Sequence, residues 1–432
     1  MRWLALIAIM TGVASSQAAF DWDPFYESLT APGGSTFQAW RPAYSTSVDG
    51  ERWRKDYLWP LYTKKGFKEE RYSRFLFFGY STDFSPDTDR DRTWVIPFYF
   101  QGTSAQGDNY LAIFPIGGTI YEFLGRDKVS FVLFPIYGKS NINDVHTTTV
   151  LWPFGSKTTG SRIDRFRVWP VYGMSSLADE YDKKFVLWPI YSSVKYTNER
   201  NPGGGFILVP IYGRIVTERA DNYWLVAPLF RYMHSEEQWI VHAPWPFIQL
   251  ADGEMYKRIF WPIYGKKHLG TLTRQYWLWP ILWNNKTEYG RHEQRRRKII
   301  PFFASTTDVV TKPTKQYEVG DVSTRYWKLW PLMSWERNEA GSRFRTLEFW
   351  PLRNTPGIER NWAAYWTLYR RMEKYDDESV GHHLLWGLYR QTKGPEDFEW
   401  SLLKGLAGYK KTETSRSYRI LFMKFGGGEE QP

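Results

Sequence analysis

The chain has no cysteine. Disulfides, thiolate metal sites and a cysteine nucleophile are therefore excluded, and nothing follows the N-terminal apolar stretch that could carry a lipid anchor. Past that stretch, no apolar run approaches the roughly 20 residues that a membrane-spanning helix needs. Catalytic signatures are equally scarce. The seven histidines, His146, His234, His242, His268, His292, His382 and His383, include no H-E-x-x-H pair, and no G-x-S-x-G elbow occurs. Adjacent His382 and His383 would point to opposite faces of a strand and could not chelate one ion together. Gly203-Gly204-Gly205 lacks the Gly-Lys-Ser/Thr of a phosphate loop and reads as a turn. Asp87, Asp89 and Asp91 open like a calcium loop, but Arg92 and Phe98 stand where that loop needs Gly and Glu; a solvated acidic turn fits better. No catalytic, metal-binding or cofactor-binding residue is expected, and no cofactor.

What is present begins with an export signal. Arg2 precedes the apolar stretch Trp3 to Val13, and Ser16-Gln17-Ala18 offers a small-x-small cleavage site, the pattern of a secretory signal peptide over residues 1–18. The formal net charge of +11 suits an anionic partner. For an exported chain that means membrane lipid or lipopolysaccharide, with nucleic acid excluded. Aromatic residues make up 19% of the chain, which sets it apart from disordered sequences, as these are poor in aromatics.

The dominant feature is a repeat. Phe131-Val132-Leu133-Phe134-Pro135-Ile136-Tyr137 returns as Phe185-Val186-Leu187-Trp188-Pro189-Ile190-Tyr191, as Phe206 to Tyr212 and as Arg258-Ile259-Phe260-Trp261-Pro262-Ile263-Tyr264. Strong copies are centred on prolines from Pro60 to Pro351. Two polar copies precede them at Pro24 and Pro42, and proline-poor ones follow to residue 425, about 22 units at a spacing of about 19 residues. A loop is expected around Thr311 to Val322. Each block is short, apolar, aromatic and β-branched, the composition of a strand, and a central proline would cost a helix about 3 kcal/mol. The structural repeat residues Trp188, Pro189, Tyr191, Trp261, Pro262 and Tyr264 are accordingly read as the middle of strands with wet ends and a dry centre of about 20 Å.

The expected fold is all-β: an antiparallel meander of about 20–22 strand units over residues 19–425 as a single repeat domain, closed as a large β-barrel, with a flexible tail at 426–432. The last unit, Tyr418 to Phe425, ends on an aromatic and resembles the closing strand of bacterial outer-membrane barrels, although seven further residues follow it. Against a barrel stand the uniform gaps, the apolar character of both strand faces, and the prolines, which do not belong inside a ladder. A bent soluble sandwich or meander, or a propeller-like array, is the alternative. The expected role is that of a non-enzymatic outer-membrane β-barrel serving as a channel, transporter or structural protein. The alternative is a soluble periplasmic or surface scaffold that binds a polymer or protein. The densest basic run, Arg291 to Lys298, reads as a turn beside a strand; its Arg291, Arg295, Arg296, Arg297 and Lys298 are candidates for contact with anionic lipid or glycan.

Overall fold

The protein is described by a computed structural model covering residues 23–30, 34–83, 90–314, 317–353 and 355–426. The signal segment 1–18 and the tail from 427 lie outside the described residues, as do Asp87 and Asp89. The chain is an all-β antiparallel meander, with 41 strands of three to eight residues among the described residues. It divides into two compact units: Glu69–Trp279, and a second built from Met1–Lys68 together with Pro280–Pro432. Within each unit, every strand pairs with its neighbours in sequence.

The repeat is a two-stranded hairpin, and this corrects the reading of the aromatic–proline block as a strand centre. Arg126–Val132 and Tyr137–Ile142 are strands joined by the turn Leu133-Phe134-Pro135-Ile136. Tyr181–Val186 and Tyr191–Tyr196 are likewise joined through Leu187-Trp188-Pro189-Ile190, and Met255–Phe260 and Tyr264–Leu269 through Trp261-Pro262-Ile263. The reason is that proline has no N–H to give a ladder, and its fixed φ suits a turn. Sixteen X-Pro bonds, nearly all at these turns, are cis. The turns close on themselves, as Ile136 N donates to Leu133 O at 2.8 Å, and they also bond to one another. Leu133 N donates to Ile116 O, Leu151 N to Ile136 O and Trp152 N to Pro135 O, at 2.7–2.8 Å. The ladder between hairpins thus continues through the row of turns.

The opposite turns are short and polar, among them Asn143-Asp144, Ser161-Arg162, Glu218-Arg219 and Gly270-Thr271 in the first unit. Adjacent ones are tied by side chains: Asp144 accepts from Ser161 N at 2.9 Å, and Asn201 from Arg219 N at 3.0 Å. Each unit therefore carries an apolar edge of proline turns and a polar edge of Asx and Gly turns. The expected strand with a dry centre and two wet ends is replaced by a shorter strand that is dry at one end only.

The residue after the repeat tyrosine faces the opposite side of the sheet and is repeatedly small. Gly173 lies opposite Phe185, and Gly265 opposite Tyr276. A Cβ on Gly173 would overlap the Phe185 ring, and one on Gly265 the Tyr276 ring. The recurring Tyr-Gly is thus half of a small–large cross-strand pair. Gly203 to Gly205 belong to the same logic. They open the strand Gly203–Leu208 rather than forming a turn, because a Cβ on Gly205 would collide with the Arg214 carbonyl of the neighbouring strand.

Two departures from the expected meander stand in the unit formed by the two ends of the chain. First, the Pro351 copy is not a hairpin turn. Thr346 pairs directly with Tyr369, and residues 347–368 leave the sheet to form two short helices, Pro356–Asn361 and Ala363–Trp366. Pro356 starts the first of these, where its missing N–H costs nothing. Second, no ladder closes a barrel among the described residues. Tyr26–Thr30 pairs only with Thr36–Trp40, and Met423–Phe425 only with Arg416–Ile420. The loop expected at Thr311 to Val322 is present, between the eight-residue strands Phe303–Val310 and Val322–Leu329.

The small–large pairing gives a test. Gly265→Val should destabilise the protein by about 1–3 kcal/mol through overpacking, read as a lowered urea midpoint. Adding Tyr276→Ala should recover part of that loss, since the two sites share one space.

Candidate functional site

Two features of the fold bear on function, and both start from the proline turns. The first is the apolar edge. In the Glu69–Trp279 unit it carries Leu133, Ile136, Leu151, Phe154, Val171, Leu187, Ile190, Ile211 and Ile263, each 49–64% exposed. Several of the aromatics before the prolines meet as tilted ring pairs from turn to turn. Ring centroids are 5.3 Å apart for Phe114–Phe134, 5.8 Å for Phe134–Trp152 and 6.0 Å for Trp169–Trp188. A second run joins Phe247, Trp261 and Trp279 at 5.6 and 5.9 Å. In the other unit Leu58, Leu61, Ile300, Phe302, Leu332, Leu385, Leu403 and Leu421 continue the pattern. An exposed apolar tract of this extent marks a surface that meets something apolar.

The height of that tract decides what it can meet. On the face that carries the repeat tyrosines, one more apolar residue flanks each turn: Val132 opposite Tyr137, and Val186 opposite Tyr191. Two residues further along the same face stand Lys139, Lys184 and, in the next hairpin, Arg214, all exposed. Turn and flanking residue together make a dry band of about 10 Å, counted at about 3.3 Å per residue. A bilayer-spanning barrel needs about 25 Å, whereas an interfacial element is buried by about 5–10 Å. The band matches the second figure.

The second feature is a hollow of about 650 Å³ on the opposite face of the Glu69–Trp279 unit, lined among others by Arg165, Arg167, Lys183, Phe185, Trp152 and Trp188. Strand alternation brings these together. The registers Arg165↔Ser175↔Lys183 and Arg167↔Gly173↔Phe185 put the cations and the ring on one face. Arg165 Nε donates to Ser175 Oγ at 3.1 Å, and Lys183 Nζ lies 4.0 Å from the Tyr181 ring centre. The Arg167 Nε is buried without a hydrogen-bond partner, and no Asp or Glu lines the space.

In the unit that holds both chain ends, the polar face is buried beneath the helical excursion. Asp56 and Arg360 form an ion pair at 3.2 Å with side chains 1% and 4% exposed, and Asn361 Nδ2 donates to the same carboxylate at 3.3 Å. Ser45 Oγ donates to Asn361 Oδ1 at 2.7 Å, Arg41 Nε to the Arg360 carbonyl at 2.7 Å, and Trp362 Nε1 to the Trp59 carbonyl at 2.9 Å. From the C-terminal strands, Arg345 grips Glu359 with both terminal nitrogens at 2.6 and 3.1 Å, and Lys328 pairs with Glu348 at 2.9 Å. Burial alone would raise the Glu359 carboxyl, but the Arg345 and Arg343 guanidiniums outweigh it and hold it at about 2. Every buried charge here has a protein partner, so the cluster reads as a strut that ties strands near one end of the chain to strands near the other.

The basic run expected from the sequence is split rather than gathered. Arg291 lies in a polar turn and donates to the Pro313 carbonyl at 3.3 Å. Arg295, Arg296, Arg297 and Lys298 are exposed on the strand His292–Ile299, not in a turn. They alternate between faces, and Arg295 is paired with Glu293 at 2.5 Å. His382 and His383 do point apart: one bonds the Tyr369 hydroxyl at 2.9 Å, the other faces Arg370 at 3.3 Å. Among the described residues no group of three His, Cys, Asp or Glu is placed to hold a metal ion. The hollow and the stacked turn row escape a motif search, since their residues are spread over many repeats. Reading proline as a turn and then counting alternation outward from it would have found both.

No protein-family model matches the chain, and no curated protein matches it.

The strut makes two predictions. Asp56→Ala strands a buried guanidinium at Arg360 and should cost about 3–5 kcal/mol, measured by chemical denaturation, with Asp56→Asn in between. Glu359 is held below its ordinary value in the folded protein, so its contribution is complete above about pH 4.5 and is lost as pH falls toward 2. An acid titration of stability should decline across that window, and Glu359→Gln should flatten the decline.

Proposed function

We propose that this is a non-enzymatic protein of an outer-membrane-type cell envelope, exported by its N-terminal signal, that seats its edge of proline turns in a lipid layer. Its role on this reading is structural or conductive rather than chemical. The single observation behind it is the row of exposed apolar turns in the Glu69–Trp279 unit, hydrogen-bonded from one hairpin to the next, with charged strand faces beginning about 7 Å beyond it. Such a band matches the depth of one interface, so the edge enters lipid while most of each strand stands in water. A barrel closed by side chains and the helical excursion, rather than by a ladder, is compatible with this seating. The barrel wall would then not be what crosses the lipid.

The basic run fits the same orientation. Arg296, Arg297 and Lys298 precede the apolar turn Ile300-Pro301-Phe302, which places them at headgroup height, where each cation near an anionic surface contributes about 1 kcal/mol. Lipopolysaccharide or anionic phospholipid is the partner implied. The second reading, a soluble scaffold that binds a polymer, draws on the charged strand faces. It leaves the apolar edge without an occupant.

Vesicle flotation separates the two. The mature protein should float with liposomes, more strongly when these contain anionic lipid, and Ile136→Ser, Leu151→Ser, Ile211→Ser and Ile263→Ser combined should abolish flotation on neutral vesicles while far-UV circular dichroism is unchanged. A protein that stays at the bottom of the gradient with every vesicle composition would remove the lipid reading in favour of the scaffold.

A further inference from the structure

The hollow in the Glu69–Trp279 unit has a charge problem that the fold does not solve. Arg165 and Lys183 sit two strands apart, about 10 Å at the backbone, within mutual reach of two long side chains, and Arg167 is one step down the strand from Arg165 on the same face. Among the described residues none of the three has a carboxylate partner, and the lining supplies none. Contrast the strut of the other unit, where the buried cations Arg41, Lys328, Arg345 and Arg360 are matched by Glu27, Glu348, Glu359 and Asp56. Arg165 and Lys183 are exposed and Arg167 half-buried, so water screens their mutual repulsion, and an anion entering among them meets three cations at once. The unpartnered Arg167 Nε is a donor left waiting for an acceptor, and guanidinium groups match phosphate oxygens in geometry as well as charge.

The rest of the lining mixes hydroxyls, among them Thr147, Thr158, Ser175 and Ser193, with rings and aliphatic side chains. Arg167 and Arg165 stand two and four residues from Trp169, roughly 7 and 13 Å up the strand. Phe185 stands level with Arg167, across Gly173, and Trp152 and Trp188 lie below, at the turn edge. Cations above and indole rings below describe a receptor for a molecule with an anionic head and an apolar tail. We infer that this hollow binds a phosphate-bearing lipid, its phosphate held by Arg165, Arg167 and Lys183 and its acyl chains running down over Phe185, Trp152 and Trp188 toward the turn edge. The inference rests on the lipid-seated reading of that edge, which would bring such a molecule to the mouth of the hollow, and it names the ligand class that the reading leaves open.

The test uses the full mature protein and dihexanoyl lipids, which stay monomeric at working concentrations, followed by isothermal titration calorimetry. Dihexanoyl phosphatidic acid should bind, and the combined Arg165→Gln, Arg167→Gln, Lys183→Gln variant should bind it at least tenfold more weakly. Dihexanoyl phosphatidylcholine, whose headgroup carries no net charge, should bind at least tenfold more weakly to the unaltered protein. Arg165→Gln alone, at an exposed position that burdens folding little, should lose about threefold. Equal affinity in the triple variant and the unaltered protein overturns the site, as does equal binding of the two lipids. If inorganic phosphate binds as tightly as phosphatidic acid, the ligand is a free phosphate and the lipid assignment fails. Flotation of the triple variant on phosphatidylcholine vesicles should be unchanged. Loss of phosphatidic acid binding with flotation intact supports the hollow as a site separate from the edge. Flotation lost in the edge variant with no phosphatidic acid binding by the unaltered protein leaves the edge standing and the hollow refuted.

Discussion

Proline's missing N–H organises this protein. A ladder requires a donor from each alternate residue, and a residue without one is expelled to an end. Because the proline recurs at about every second turn along a meander, the expelled segments within each unit collect on one edge, the Pro351 copy excepted. The residues beside each proline are apolar, so the expulsion also carries Leu, Ile, Phe and Trp out of the sheet to a place where they cannot form a core. The edge is then held straight by its own bonds, with Leu133, Leu151 and Trp152 each donating to a carbonyl of the preceding turn and several neighbouring rings meeting at under about 6 Å. Few large side chains are buried in the ordinary sense. Among the described residues the one compact apolar cluster surrounds Phe100, Tyr110, Ala112, Ile120 and Phe131.

The two faces of the sheet solve a different problem. With strands of mostly five to eight residues and few large apolar side chains buried among the described residues, the shielded face must manage polar groups without a thick oily layer. In the Glu69–Trp279 unit it does so by pairing small residues with large ones, as in Gly173 with Phe185. In the other unit, the chain between Thr346 and Tyr369 leaves the sheet and covers the face, and its charges share partners in a network, with Arg345 on both Glu348 and Glu359 and Asp56 on both Arg54 and Arg360. The Asp56–Arg360 and Arg345–Glu359 pairs connect residues some 300 positions apart in one case and 14 in the other. Burying charge is costly unless it is paired and hydrogen-bonded. The strut and the hollow differ in kind: buried charges are paired in the first, whereas the second gathers exposed or half-buried cations on one face without a carboxylate in its lining.

Much of this was legible in the residues, and the errors have physical causes. Strand class, antiparallel order and the repeat period follow from short β-branched and aromatic blocks between turn formers. The position of the strand within the period did not, because an apolar block that centres on proline can be read as a strand with a bend or as a turn with apolar flanks. Local composition does not separate the two; hydrogen-bond accounting does, and it favours the turn. Trp188-Pro189-Ile190 and Trp261-Pro262-Ile263 were therefore assigned to strand centres although they form the tips of hairpins. The excursion after Pro351 carries the same aromatic–proline signature as its neighbours. Only the long-range partners of Arg345, Glu359 and Arg360 pull it out of the sheet. Likewise Arg295 to Lys298 look like one basic patch in sequence, and strand alternation divides them between two faces.

The sequence by itself determined the class of structure, because composition and turn chemistry act within a few residues: an aromatic β-repeat without thiols, with a cleavable-looking N-terminal segment and an excess of positive charge. It also placed an apolar aromatic–proline block in most copies, without deciding whether that block is a strand centre or a turn. Tertiary structure alone decided which residues meet. The hollow gathers Arg165, Arg167, Lys183 and Phe185 from two strands and the rings of Trp152 and Trp188 from two turns, and the strut joins Asp56 to Arg360. Both depend on register and on which face each strand presents, and a shift of one residue would send every side chain to the other side of the sheet.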